Sequence, residues 1–227
     1  MGIIGTGRPY LASAQMASGI SRRGKTEQAR RSSCDDGYTT TDSAGAKHGH
    51  VDWTWVDPLA RGLLTTYFQP DELTIFLMYG VQTYNWKNLG ASHTVGGWHL
   101  SDPGPLGTMT YIVSNLTDGG DVATLSHELG EWLDDPFANN KVPAWTGESI
   151  TGCSSTLEVG DPVNGVSFTK NLSGMTYRPQ DLVFLSWFAR RSPSTSINQW
   201  YTFRNTLTSP QPVCQRRGEE SAQPRMA

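Results

Sequence analysis

The sequence predicts an α+β domain in which a small, mostly antiparallel sheet supports one amphipathic helix. Three observations carry that reading. The runs at 73–79 (LTIFLMY) and 109–114 (MTYIVS) are short, β-branched and aromatic, and are flanked by turn residues, as strands are. Residues 121–135 (DVATLSHELGEWLDD) have helical periodicity and stop at Pro136. With 37% hydrophobic and 10% aromatic residues among 227, the chain can bury a core, which excludes a disordered protein.

The elements follow in order. Residues 1–50 are rich in Gly, Ser, Thr and Arg and hold seven Lys/Arg against four Asp/Glu, whereas the remainder holds 11 against 17. They read as a poorly ordered leader, 51–214 as the domain, and 215–227 as a polar tail. Residues 51–56 (VDWTWV) alternate like a strand or the approach to one. Residues 59–68 read as a helix ending before Pro70, and 73–79 as a buried strand. Residues 94–100 (TVGGWHL) and 109–114 read as an antiparallel pair joined by SDPGPLG. The glycines place the first of them near a sheet edge. Residues 136–156 read as loop, 156–161 as a turn, and 182–190 as a buried helix or strand.

Several function classes are excluded. No run of 18 apolar residues exists to span a membrane. A net charge of −3 and a pI near 5.9 argue against nucleic acid as a partner. No phosphate-binding glycine loop and no nucleophile elbow occur. Cys34, Cys153 and Cys214 match no zinc-ribbon spacing. They read either as three free thiols or as a Cys153–Cys214 bridge that suits an exported protein. The expected location is secreted or cell-surface, although the first residues lack the apolar run of a signal peptide. No feature marks an oligomer interface.

The chemistry concentrates in the helix. With His127 at 0°, Glu131 falls at about 40°, Asp134 at about −20° and Glu128 at about 100°, while Val122, Leu125, Leu129, Trp132 and Leu133 cluster between about 140° and 240°. The apolar side is expected to pack on the core, with Asp121 as N-cap. His127 and Glu131 stand one turn apart, and Glu128 is adjacent to the first. A zinc hydrolase helix uses that spacing: two ligands on one face, and a carboxylate beside them to take a proton from water. Taken plainly, His127 and Glu131 are also an ordinary i,i+4 surface pair.

TLSHELGEWLDDP resembles the active-site helix of zincin-type metallopeptidases in a gluzincin-like HExxE variant, and the downstream LEVGD resembles the region where gluzincins supply a third ligand. The resemblance implies one Zn²⁺ held by His127, Glu131 and Glu158, with Glu128 as general base. Asp161 would orient a ligand or replace one. It implies hydrolysis of a peptide or protein substrate laid along an edge strand, for which 94–100 is the candidate. Two carboxylate ligands admit harder cations, and Asp134 and Asp135 at the unfavourable end of the helix suggest a role in binding Ca²⁺. His99 reads as a structural strand histidine, or as one facing the site. Tyr177 and Tyr201 read as half-buried aromatics or as oxyanion donors. Two rival functions are a zincin-like domain without catalysis, and an exported glycan-binding module built on Trp53, Trp55, Trp86, Trp98 and Trp145.

Overall fold

The computed structural model describes residues 37–85, 94–116, 121–147, 150, 152–192, 200–211 and 214. The chain begins with β1 (Gly37–Thr41), β2 (Lys47–Asp52) and α1 (Trp53–Tyr67), followed by β3 (Leu73–Tyr79), β4 (Val81–Tyr84) and β5 (Thr94–Val95). Next come β6 (Gly97–Gly104), β7 (Gly107–Leu116) and α2 (Ala123–Asp134). The remainder holds β8 (Lys141–Trp145), β9 (Ser154–Thr156), a 3-10 turn at Asp161–Val163, β10 (Lys170–Leu172), β11 (Met175–Tyr177) and the short α3 (Leu185–Phe188).

The architecture is mixed α+β, but it consists of several small sheets rather than one. The three-stranded sheet has the order β3-β7-β6, with β7 parallel to β3 and antiparallel to β6. The four-stranded sheet has the order β1-β2-β4-β5, and its β2–β4 pair is also parallel. β6 lies at a sheet edge, where its glycines placed it.

Several expectations change. Residues 37–50, expected in the leader, supply β1 and most of β2, so the domain starts earlier; residues 1–36 lie outside the described residues. The alternation at 51–56 breaks at Asp52, whose carboxylate accepts from the Thr54 amide at 3.0 Å and caps α1. That cap starts the helix at Trp53 rather than Leu59. β3 is only half-buried: Phe76 and Met78 point inward, while Leu77 and Tyr79 are 43% and 66% exposed. Residues 136–156, expected as loop, contain the antiparallel pair β8–β9. Of 182–190, only α3 is helical.

Two apolar clusters result. The first packs Val56, Ala60 and Leu64 of α1 on Phe76, Trp98, Met109, Tyr111 and Val113 of the main sheet. The second gathers Trp145, Leu157, Val159, Val183, Trp187, Phe188 and Tyr201 in the C-terminal half. Each fully buried aliphatic side chain contributes about 1.5–3 kcal/mol. Period-two alternation along β6 sends Trp98 into the first cluster and His99 to the opposite face, where α2 packs. Cys153 and Cys214 form a disulfide with Cα atoms 5.9 Å apart, which settles the earlier alternative. A bridge across 61 residues stabilises by about 4 kcal/mol through loop-closure entropy.

The first cluster encloses one charged group. Asp57 accepts from Trp98 Nε1 at 3.0 Å, from Arg61 Nε at 2.7 Å and from the Tyr111 hydroxyl. Removing it leaves the Trp98 and Tyr111 donors without their acceptor and Arg61 with Asp102 alone. Asp57→Ala is therefore expected to destabilise by about 3 kcal/mol in urea unfolding. Arg61, whose side chain is 38% exposed, is the weaker partner, so Arg61→Ala should cost clearly less.

Candidate metal centre

α2 buries its ionisable side more deeply than the apolar side expected to pack on the core. His127, Glu128 and Glu131 are 8%, 5% and 3% exposed, whereas Leu133 is 68% exposed. Leu125, Leu129 and Trp132 are half-buried. Val122 occupies the N-cap position with no side-chain cap bond, so Asp121 does not play its expected part. The inversion has a tertiary cause. β6 covers the polar side of α2 from one direction, and the stretch around 157–161 with Gln180 covers it from the other. Both approaches need small residues. A Cβ on Gly97 would come within 2.9 Å of Glu128 Cγ, and one on Gly160 within 2.6 Å of His127 Nδ1.

His127 and Glu131 meet as their spacing predicts, with Nε2 3.1 Å from Oε1. Asp161 Oδ1 is 3.5 Å from the same Nε2. Gln180 Nε2 lies 2.8 Å from His127 Nδ1 and donates to the Gly160 carbonyl at 2.9 Å, fixing the ring. The Gly160 N–H donates to Glu131 Oε1 at 3.1 Å. The other oxygen, Oε2, lies 3.5 Å from His99 Nδ1, and Glu128 Oε2 lies 3.5 Å from that same nitrogen. His99 Nε2 donates to the Asp135 carbonyl at 3.1 Å.

Two triads of ligand atoms form, each with its members within 4.8 Å of one another: His127, Glu128 and Glu131, and His99, Glu131 and Glu158. Glu158 therefore joins the triad of His99 rather than that of His127. The electrostatics match the crowding. Burial opposes a charge on either imidazole, but the carboxylates outweigh it: Glu128 and Glu131 push His99 up to about 10, and Glu131 pushes His127 up to about 10. Burial raises the Glu128 and Glu158 carboxyls. It would raise Glu131 as well, but the adjacent His127 and His99 hold that carboxyl low. The surrounding carboxylates thus favour positive charge between them, and the same atoms could hold a divalent metal.

The other candidates lie elsewhere. Asp134 is exposed, and the buried Asp135 accepts from the Asn140 amide at 2.7 Å, shaping the turn after α2. Neither belongs to a triad. The Tyr201 hydroxyl donates to the Arg191 carbonyl, and the Tyr177 hydroxyl contacts Met175 Sδ. Trp98 and Trp145 are buried, Trp53 and Trp55 pack partly buried on the first cluster, and Trp86 lies outside the described residues. Asn115, which begins a glycosylation sequon, is buried and donates to Thr83. Sequence reasoning left His99 between a structural histidine and one facing the site, and missed Gln180. For His99 the deciding signal was present, because Trp98 facing the core sends its neighbour to the other face. Gln180 carries no local signal. Compared with known proteins, the chain matches no family model, no curated protein and no solved structure at a significant level.

Gly160 has φ −87°, which any residue adopts, so its requirement is purely steric. Gly160→Ala is expected to push His127 aside and to destabilise by about 1–3 kcal/mol in chemical denaturation. An unchanged midpoint would contradict the tight approach.

Proposed function

We propose that this chain is a metal-dependent hydrolase of zincin-like design that cleaves peptide bonds. One observation carries the reading: a buried i,i+4 His127–Glu131 pair with Glu128 beside it, met by Glu158 and Asp161 from a distant stretch of chain. A surface ion pair needs no such enclosure, and burying this many ionisable groups is costly unless a cation compensates them. Nitrogen donors mixed with carboxylates suit Zn²⁺ or a neighbouring transition metal better than Ca²⁺.

His127 and Glu131 would hold the metal, with Asp161 as the further carboxylate beside His127 and Glu158 in the set of His99. A bound divalent ion supplies Lewis acidity toward a carbonyl and makes water acidic enough to attack at neutral pH. Glu128, raised toward neutrality by burial, is suited to take the water proton and to return it to the leaving amine. Gln180 and the Gly160 amide hold His127 and Glu131 in place. Asp161, with its side chain 25% exposed, marks the side open to solvent. The edge strand β6, running past Glu128 at Gly97, is the natural support for an extended peptide. The disulfide favours an oxidising, exported setting.

The test is zinc loading followed by hydrolysis of an unfolded protein such as casein. Zinc should bind, a chelator should abolish turnover, and added zinc should restore it. Glu128→Gln should keep the metal and slow turnover by roughly 10²–10⁴-fold. Metal binding without turnover would favour the inactive zincin-like alternative. A protein that takes up no metal would defeat the proposal.

A further inference from the structure

We infer that the centre binds two divalent cations bridged by the Glu131 carboxylate, one on the His127 side and the other on the His99 side. The inference rests on the metal reading above. Three observations carry it.

The first is how Glu131 divides its oxygens. Oε1 faces His127 Nε2 at 3.1 Å, and Oε2 faces His99 Nδ1 at 3.5 Å. The two triads share this residue alone. A carboxylate presenting one oxygen to each of two ligand sets is arranged as a bridge, as in hydrolytic sites whose two ions sit roughly 3.5–4 Å apart.

The second is the state of His99. Its side chain is 3% exposed, and its Nε2–H is committed to the Asp135 carbonyl. Its Nδ1 is the one ring nitrogen left to face Glu128 and Glu131, at 3.5 Å from each, beyond the usual hydrogen-bond range. Ligand atoms about 2.0–2.2 Å from a tetrahedral ion stand roughly 3.3–3.5 Å apart, which is the spacing seen here. A second-nitrogen bond to a backbone carbonyl is also the usual way a metal-binding imidazole is oriented.

The third is charge. Glu128, Glu131, Glu158 and Asp161 converge on two imidazoles, and among the described residues no Lys or Arg pairs with Glu128 or Glu131. With all four carboxylates ionised as ligands and both imidazoles neutral, one divalent ion leaves two negative charges and two ions bring the cluster to neutrality.

The experiment is titration of chelator-stripped full chain with Mn²⁺, read by elemental stoichiometry and by electron paramagnetic resonance. Wild type should hold two ions per chain and show an exchange-coupled spectrum. His99→Asn and the near-isosteric Glu158→Gln should each hold one ion with an uncoupled six-line spectrum, with far-UV circular dichroism unchanged. One ion in wild type, kept by both variants, would overturn the bridged pair and leave the single-metal reading standing. Loss of all metal in both folded variants would also overturn it, since it would show one shared site. No metal in wild type would instead remove the reading on which the inference rests.

Discussion

A carboxylate that is 3% exposed must be held by partners from several directions, and Glu131 is so held. Its helix brings His127, β6 brings His99, and the stretch before the 3-10 turn brings the Gly160 amide. Removing such a group from water costs several kcal/mol unless charges and donors replace the solvent. The placement of β6, α2 and the Leu157–Val163 region can be understood as satisfying that one demand. Apolar packing divides into two clusters, and the polar seam around Glu131 draws its partners from both halves of the chain.

The seam accounts for what the sequence showed and what it hid. Spacing of one and four residues along a helix is local, so His127, Glu128 and Glu131 were legible as a set. So were the strands at 73–79 and 109–114, whose composition decides their conformation. The direction in which α2 faces was not legible. Periodicity finds two sides of a helix but not which is covered, and here β6 and Gln180 cover the ionisable one. Glu158 was found only through its resemblance to a ligand region, and its pairing with His99 depends on a contact between residues far apart in the chain. β8 and β9 were missed because their pairing spans a segment of turn-forming composition.

The main sheet separates two kinds of polar cluster. On the α1 side, Asp57 is satisfied entirely by protein donors from Trp98, Tyr111 and Arg61. On the α2 side, the acidic groups outnumber the donors around them. Adjacent residues of one strand, Trp98 and His99, serve these two sides. The satisfied cluster behaves as scaffold, and the unsatisfied one is where an external ion can act.

The bridge between Cys153 and Cys214 encloses Glu158, Gly160, Asp161 and Gln180 within one covalent ring. A single backbone cut anywhere inside that ring severs no connection between its two ends. The nicked chain stays in one covalent piece until a reductant is added, and the segments carrying those four residues remain tethered to α2. A backbone cut in this half of the molecule is thus topologically silent in an oxidising environment.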